Sequence, residues 1–215
     1  MRYIIKNTEI RYENAAKPHT QKSKPVNDYL ETISGRPSIL DYGCGKLRYS
    51  DTLVKVASEV TFVDSEIQIG REQVIRGEIT SVRKYVKKNY AGCKTVAAEK
   101  LETHKKRYDI VTCTNVLSAI PCDIALEDAL RRIRELLKEN GYAFFVNQHR
   151  SSYFKKYTLG KKWLYGYLYS GKRCDSYYGI LDRERIECLL KENYYSIRRT
   201  WVIGESTFTE AHADC

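Results

Sequence analysis

The sequence lacks the features that mark several large protein classes. It has no run of eighteen apolar residues, so we expect no membrane-spanning helix and no membrane partner. Residues 1–6 lack the apolar core and cleavage site of a secretion signal, and the seven cysteines include no C-x-x-C pair. Both absences favour a cytoplasmic protein with reduced thiols. The four histidines form no cluster with cysteine, so we expect no metal site.

What the sequence does contain is an apolar run that ends at an acid and a glycine turn. Residues 38–45 read Ser-Ile-Leu-Asp-Tyr-Gly-Cys-Gly, with Asp41 at the end of the apolar part. This pattern predicts a buried parallel strand that opens onto a turn where the backbone can approach a ligand. A second apolar run ends at Asp64, nineteen residues after Gly45. An acid about 20 residues beyond such a turn suits the two hydroxyls of a ribose, which predicts an adenosine-containing cofactor.

Two kinds of cofactor fit this geometry, and the turn separates them. A dinucleotide turn of the form G-x-G-x-x-G needs a third glycine at the position of Arg48. Asp41 would repel a pyrophosphate, whereas its charge suits an ammonium group. The acid-x-Gly-x-Gly form resembles the class I S-adenosylmethionine-dependent methyltransferases. Residues 108–121 resemble the fourth strand and following loop of the small-molecule-type branch of that family, and the resemblance covers about residues 38–149.

The resemblance implies S-adenosylmethionine as cofactor and S-adenosylhomocysteine as product. It implies Asp41 near the methionine end and Asp64 on the ribose hydroxyls. Where the family often has an acid after the third strand, this chain has Ala97, so adenine contacts would come from backbone groups at Ala98 and from the Glu99 side chain. The expected cofactor-binding residues are Asp41, Gly43, Cys44, Gly45, Asp64, Ala98, Glu99, Asn115 and Val116.

The expected fold is an α/β, Rossmann-like, doubly wound and mostly parallel sheet with helices on both faces, ending in an antiparallel strand pair. The periodicity predicts strands near 38–41, 60–63, 93–97, 109–113, 142–147, 195–203 and 206–209. It predicts helices near 26–33, 47–57, 66–88, 124–139 and 182–192, with Asn140-Gly141 as a left-handed cap of the fourth. We expect residues 1–37 to form an arm over the cofactor site. Residues 38–215 would form the methyltransferase domain, with 150–175 as an acceptor-site insertion or lid.

The arm holds three residues that could meet the methionine carboxylate. Family members often fold a segment ahead of the first strand over the cofactor, with a basic or aromatic side chain at that carboxylate. Arg11, Tyr12 and His19 are the candidates here. The alternative is that they belong to a mobile terminus.

Catalytic residues are hard to assign from the sequence because an activated methyl donor mainly needs an aligned acceptor. His149, just after the fifth predicted strand, is a candidate base, and a surface histidine leading into a loop is the alternative. The loop that begins at Asn115 lacks the Asn/Asp-Pro-Pro-aromatic motif of enzymes that methylate amino groups. Cys122 follows a proline but lies too late to be the nucleophile of a cytosine C5 enzyme.

Charge bears on the acceptor. The net charge is +10, and residues 150–173 contain seven basic residues, no acidic residue and seven aromatic residues. Bases interleaved with aromatic rings suit phosphate contact and base stacking, which would mean an RNA or other nucleic-acid acceptor. The other interpretation is a lid whose rings pack inward over a small-molecule acceptor. A catalytically silent cofactor- or RNA-binding module is a third alternative, and the oligomeric state stays open. The basic run 83–88 is interpreted as the solvated face of a helix.

Overall fold

The computed structural model describes residues 2–11, 15–149, 157–171 and 175–214. The strands of this part of the chain are β1 Arg2–Ile5, β2 Thr8–Arg11, β3 Ser38–Tyr42, β4 Glu59–Asp64, β5 Gln73–Ile75, β6 Glu78–Thr80, β7 Lys94–Ala97, β8 Tyr108–Thr114, β9 Leu137–Gln148, β10 Lys161–Trp163, β11 Gly166–Ser170, β12 Asp175–Gly179, β13 Tyr195–Ile203 and β14 Ser206–Ala213. The helices are α1 Lys24–Glu31, α2 Ser50–Val56, α3 Glu66–Gly70, α4 Val82–Asn89, α5 Asp123–Glu135 and α6 Arg183–Glu192.

A seven-stranded sheet forms the centre of the molecule, in the order β13-β14-β9-β8-β3-β4-β7. The strands from β9 to β7 are parallel, and β14 runs antiparallel to both β9 and β13. The sequence-based prediction of a mostly parallel sheet that ends in an antiparallel pair is therefore confirmed. Because β4 lies on one side of β3 and β8 on the other, the strand order reverses at β3, which is where open α/β sheets bind ligands.

Two apolar layers cover the two faces of the sheet. Successive residues of a strand point to opposite faces, so Ile39 packs into one layer and Leu40 into the other. The layer around Ile39 includes apolar residues of α1, α2, α3 and α4. The layer around Leu40 includes those of α5 and α6. This arrangement confirms the prediction of helices on both faces.

The single helix predicted over residues 66–88 is wrong. The chain forms α3, then the hairpin of β5 and β6, and then α4. Ser65 and Ser81 each accept a hydrogen bond at the start of a helix, from the backbone N–H groups of Gln68 and Lys84. The turn of the hairpin has left-handed backbone at Arg76 (φ 50°) and Gly77 (φ 83°), the conformation that two-residue hairpins favour. Two helix caps and one turn therefore override an apolar pattern compatible with one helix.

Two helix ends also differ from the prediction. The helix predicted to end at Asn140-Gly141 stops at Glu135, and β9 begins at Leu137. Gly141 is not left-handed; a Cβ there would lie 2.8 Å from the carbonyl oxygen of Tyr108, so this glycine permits close packing of β9 against β8. At the other end of the domain, α2 begins at Ser50 rather than near residue 47 because the turn before it continues through Leu47.

The sequence analysis did not anticipate two small sheets beside the main one. The hairpin of β1 and β2 packs against β12, the outer strand of the sheet β10-β11-β12. β12 in turn contacts the short 3-10 turn Leu117–Ala119 that follows β8. Trp163 Nε1 donates a hydrogen bond of 2.7 Å to the carbonyl of Pro121, and Lys6 Nζ lies 4.6 Å from the Trp163 ring centroid. These contacts hold both small sheets next to the loop after β8.

Candidate cofactor site

A cleft opens at the C-terminal ends of β3, β4 and β8, and it consists of two recesses that share Gly43, Asp64 and Val116. The first recess, about 580 Å³ with its open mouth, is lined by residues 15–17, 41, 43–45, 48, 49, 64, 68, 114–116 and 119. The second, about 710 Å³, is lined by residues 42, 43, 63–65, 98, 99, 116, 120, 125, 128 and 132. All nine residues expected to bind the cofactor line this cleft.

The turn after β3 brings the backbone close to the cleft. Gly43 (φ 76°), Gly45 (φ 55°) and Leu47 (φ 59°) all have left-handed backbone. A Cβ on Gly43 would overlap Val116 Cγ2, so only glycine fits beneath that side chain. The third left-handed position holds Leu47, whose buried side chain packs into the apolar layer around Ile39. A β-carbon in this conformation is strained, so neighbouring groups must hold the turn in place.

Asp41, at the end of β3, is buried beneath the first recess and accepts a hydrogen bond of 2.8 Å from Thr112 Oγ1. Burial raises the pKa of its carboxyl to about 7, the Thr112 hydrogen bond opposes that rise, and the nearby Asp64 carboxylate adds to it. Among the described residues no cationic side chain pairs with Asp41, and a buried carboxylate of this kind is suited to receive a cation from a ligand.

Asp64, at the end of β4, links the glycine turn after β3 to the start of α3. Its two carboxylate oxygens accept hydrogen bonds of 2.8 Å each from the backbone N–H groups of Gly45 and Ser65. Asp64 also lies where the two recesses join, and a carboxylate oxygen can accept from more than one donor, so it can meet ligand hydroxyls there. Asp64 therefore fixes the glycine turn and can bind a diol at the same time.

Val116 and Asn115 follow β8 and have different roles. Val116 contributes to both recesses and lies over Gly43, so it forms the partition between them. Asn115 has left-handed backbone (φ 58°), and its side-chain oxygen accepts a 2.8 Å hydrogen bond from the Gln148 N–H. Its amide therefore ties the loop to β9, and the part of Asn115 best placed to meet a ligand is its backbone.

Ala98 and Glu99 lie at the start of the 3-10 turn after β7 and line the second recess. Glu99 Oε2 accepts a hydrogen bond of 3.0 Å from the Glu66 N–H at the start of α3. One oxygen of the Glu99 carboxylate is therefore bonded within the protein, and both residues border the recess. Cys44 is buried in the first recess, where burial raises the pKa of its thiol, so it acts as a small apolar side chain rather than a thiolate.

Two polar residues of the first recess were missed by the sequence analysis. Arg48 Nε lies buried without a hydrogen-bond partner, while its Nη2 donates to the carbonyl of Gln21. Gln68 is fully buried; its Nε2 donates to the carbonyl of Gly45 at 2.7 Å, and its Oε1 has no partner. Arg48 was noted only because it stands in place of a glycine. Nothing in the sequence marks Gln68, since its position depends on where α3 ends.

Arg76, at the tip of the unexpected hairpin, reaches back to the strained turn. Its Nη2 donates to the Leu47 carbonyl at 3.3 Å and to Ser50 Oγ at 3.0 Å, and its Nη1 pairs with Asp51 Oδ2 at 2.6 Å. With Gln68 on the Gly45 carbonyl, the segment 66–80 therefore holds two carbonyl groups of the glycine turn.

Of the three N-terminal candidates for the methionine carboxylate, the two that the structure describes do not line the cleft. Arg11 pairs with Glu9 at 3.1 Å and does not line the first recess, and His19 lies in the 3-10 turn His19–Gln21, also outside its lining. Tyr12 lies outside the described residues. Residues 15–17 do line the recess, and Ala16 Cβ would be 3.2 Å from a Cβ on Gly45. Of the arm residues that the structure describes, Ala15, Ala16 and Lys17 reach the cleft, and Lys17 is the basic one among them.

His149 is buried rather than a surface residue. A hydrogen bond of 2.9 Å joins its Nδ1 to Thr207 Oγ1, and its backbone N–H donates to the Glu205 carbonyl. It is not among the residues that line either recess. His149 therefore borders the site through β9 but does not touch the cleft itself.

The basic and aromatic segment 150–173 is described in part. Arg150, Tyr153, Phe154, Lys155, Lys156, Lys172 and Arg173 lie outside the described residues. Within 157–171 the rings are partly buried: Tyr157 packs on Tyr169 and Tyr178, with centroids 5.1 and 5.6 Å apart. The Tyr178 hydroxyl donates to the Gln148 carbonyl at the end of β9. Lys161 and Lys162 are exposed.

Three of the four basic residues in the run 83–88 form local ion pairs. Arg83, Lys84 and Lys88 of α4 pair with Glu66, Glu72 and Glu78.

In the described ranges, no group of three or more histidine, cysteine or acidic side chains could hold a metal ion. No helix of those ranges is long and apolar enough to cross a membrane.

Comparisons with known proteins agree with this geometry. Residues 13–192 match a family model described as a methyltransferase domain. The chain is 42% identical over 208 residues to the uncharacterized protein YmfD of Escherichia coli K12, covering 97% of this chain and 94% of that protein. It is 26% identical over 142 residues to a ubiquinone biosynthesis O-methyltransferase of Shewanella halifaxensis, covering 64% of this chain but only 56% of that enzyme.

Solved structures show the same fold. A 1,6-didemethyltoxoflavin-N1-methyltransferase of Burkholderia thailandensis, crystallised with 1,6-didemethyltoxoflavin and S-adenosylhomocysteine, superposes with a TM-score of 0.65 at 16% identity, covering 91% of this chain and 80% of that one. Because the family model spans most of the chain and the sheet has the same architecture, this protein belongs to the methyltransferase-domain family and is a class I S-adenosylmethionine-dependent methyltransferase.

Proposed function

We propose that this protein transfers a methyl group from S-adenosylmethionine to a small-molecule acceptor. The observation that carries the proposal is the cleft itself: two recesses meet at Val116, and each neighbouring strand ends in a buried acid. A molecule with a cationic amino-acid end, a ribose and a flat base fits this cleft, with the amino-acid end in the first recess, the ribose at Asp64 and the base in the second recess.

The residues present fit the cofactor. Asp41 offers a buried carboxylate to an ammonium group, and Arg48 offers a buried Nε–H without a partner to a carboxylate. Asp64 lies where the two recesses join and can accept hydrogen bonds from ribose hydroxyls, and Ala98 borders the mainly apolar second recess, which suits adenine. Because Asp41 and Arg48 line the same recess, the ammonium and the carboxylate of one amino-acid group can each meet a side chain of opposite charge.

The chemistry asks little of the protein beyond alignment. The cofactor supplies an activated methyl group on a sulfonium. The chain's own residues must therefore hold the methionine end beside Val116 and exclude water from the acceptor. Residues 15–17 of the arm and the small sheet β10-β11-β12 are the elements we assign to that covering role, the first over the cofactor and the second over the acceptor.

A small acceptor is favoured over a nucleic acid. Stacking on RNA bases requires exposed rings, whereas Tyr157, Trp163 and Tyr169 pack on the protein. The basic residues of α4 are mostly paired with glutamates, which removes part of the positive surface that a phosphate backbone would need. The exposed Lys161 and Lys162 are the observation that keeps a nucleic-acid acceptor as the alternative.

Two measurements test the proposal. Calorimetry should show binding of S-adenosylhomocysteine and much weaker binding of NAD; a preference for NAD would refute the cofactor assignment. The protein is then incubated with S-adenosylmethionine that carries a deuterated methyl group, together with either a filtered small-molecule extract of bacterial cells or their total RNA. Asp64→Ala, expected to bind the cofactor more weakly, serves as the control that should transfer less label at a low concentration of S-adenosylmethionine.

Mass spectrometry should find the heavy methyl group in the small-molecule pool and not in RNA. Label in RNA alone would establish the nucleic-acid alternative in place of the proposal. Binding of S-adenosylhomocysteine with no label in either pool would mean a cofactor-binding module without transferase activity.

A further inference from the structure

A buried polar patch lies on the sheet beside the cleft, on the strands β9 and β14. Asn147 and His149 follow Phe145 on the same face of β9, and Thr207 and Thr209 lie on the neighbouring strand, with Thr207 directly opposite Asn147. All four polar residues are buried, Asn147 to 1% exposure and Thr209 to 0%. The rest of this face is apolar, since Phe145 and Ala211 belong to the core layer around Leu40.

Within this patch, neither end of the Asn147 side-chain amide has a hydrogen-bond partner in the part of the chain that the structure describes. Both Nδ2 and Oδ1 are buried and unpaired, and so is Thr209 Oγ1. A buried amide without partners loses its hydrogen bonds to water and gains nothing in return, so an apolar side chain of the same size would stabilise the fold better. Thr207, by contrast, is satisfied by His149 at 2.9 Å. The unpaired groups therefore call for a partner that comes from outside the chain.

The position of Asn147 connects it to the methyl-donor cleft. The backbone groups on either side of it bond to Asn115: the Asn115 N–H donates to the Val146 carbonyl at 2.7 Å, and the Asn115 side chain accepts from the Gln148 N–H at 2.8 Å. Asn115 lines the first recess. The turn Leu117–Ala119 contacts both β9 and β12, so the end of β9 lies between the cleft and the small sheet β10-β11-β12.

The patch is also poor in charged side chains. The face formed by residues 143, 145, 147 and 149 of the chain and residues 207, 209 and 211 carries no lysine, arginine, aspartate or glutamate. A charged ligand group buried here would have no counter-charge, and the desolvation of an unpaired charge is more costly than that of a neutral polar group. The patch therefore suits a neutral group.

We propose that Asn147 and Thr209 bind the polar edge of the acceptor, and that the acceptor is a neutral molecule with a hydrogen-bond acceptor and a hydrogen-bond donor side by side. The Asn147 NH₂ donates to the first group and its carbonyl accepts from the second, while the Thr209 hydroxyl can do either. Lactam rings, carboxamides and hydroxy-carbonyl compounds have such an edge. The inference rests on the proposed function and extends it to the class of acceptor.

The test uses 2-pyridone, a flat lactam, as the probe on protein saturated with S-adenosylhomocysteine. Its dissociation constant is measured by NMR titration beside those of 1-methyl-2-pyridone, which lacks the donor, and benzoate, which is charged. The variants are Asn147→Leu and Thr209→Val. The matched control is Asn140→Leu, the same exchange at an exposed position of the same strand.

We expect 2-pyridone to bind wild type and the Asn140→Leu control equally, and to bind Asn147→Leu about tenfold more weakly or worse. Binding to Thr209→Val and binding of 1-methyl-2-pyridone should both be weaker than binding of 2-pyridone to wild type. Equal binding of 2-pyridone to Asn147→Leu, no binding to wild type, or tighter binding of benzoate would each overturn the proposal.

Thermal unfolding gives an independent check. Because the Asn147 side chain makes no hydrogen bond to any described residue, the melting temperature of Asn147→Leu should equal or exceed that of wild type. A clear decrease would show that the amide has a structural partner, and the proposal would fail. Calorimetry should show that Asn147→Leu binds S-adenosylhomocysteine as tightly as wild type does. If wild type itself does not bind S-adenosylhomocysteine, the proposed function is refuted instead.

Discussion

Cofactor affinity should depend on pH through the buried carboxyl of Asp41. Burial raises the pKa of this carboxyl to about 7 in the free protein. An ammonium group bound beside it would stabilise the carboxylate and lower that pKa. Below about pH 7, therefore, the free protein carries a proton on Asp41 that binding must displace.

The size of the effect follows from the pKa alone. If only the ionised form binds well, affinity falls by about tenfold for each pH unit below the free-protein pKa of about 7 and becomes constant above it. Between about pH 8 and about pH 6 we therefore expect the dissociation constant of S-adenosylhomocysteine to rise roughly tenfold. Asp41→Asn should bind more weakly at the higher pH and show little change between the two.

The assay is calorimetry in two buffers with different enthalpies of ionisation, which also counts the protons released on binding. For each ligand bound, wild type should release close to one proton at the lower pH and almost none at the higher pH. A dissociation constant of wild type that is the same at both pH values would refute the assignment of Asp41 to the ammonium group. A pH dependence that persists in Asp41→Asn would assign it to another residue.

The same group makes a separate contribution to the stability of the free protein. Its folded-state pKa of about 7 lies above the value of roughly 3.9 for an unfolded aspartate. This contribution is fully present below about pH 4 and is lost as the pH rises through about 7. Saturating S-adenosylhomocysteine should reduce this loss, because it stabilises the ionised form.

Three further predictions concern other parts of the site. Asp64→Ala should weaken binding of S-adenosylhomocysteine about tenfold or more by calorimetry, since hydrogen bonds to a charged group contribute roughly 1.5–3 kcal/mol each; unchanged affinity would place the ribose elsewhere. Arg76→Ala should also weaken it, because the Leu47 carbonyl and Ser50 each lose one of their hydrogen-bond partners, whereas the matched control Arg83→Ala removes only an exposed ion pair and should have little effect. Trp163→Ala should lower turnover of the acceptor more than affinity for S-adenosylhomocysteine, and the reverse order would remove the small sheet from the acceptor site.

The sequence by itself determined the parallel strands and the acids at their ends. Apolar runs such as 38–41 cannot be buried except as strands of a covered sheet, and an acid can follow such a run only at its edge. Because the carboxyl ends of parallel strands lie along one edge, Asp41 and Asp64 had to meet there. The glycine turn was visible for the same local reason, since left-handed backbone at Gly43 and Gly45 depends on the residue itself.

The tertiary structure alone decided which side chains support and complete the site. Arg76 reaches the turn only because residues 66–88 form two short helices and a hairpin, a choice made by caps and turn geometry over an ambiguous apolar pattern. His149 is buried and Asn147 is unpaired because β14 runs beside β9, a pairing between residues about sixty positions apart in the chain. Long-range contacts of this kind leave no periodic signal in the sequence, since each strand would read the same beside any other partner.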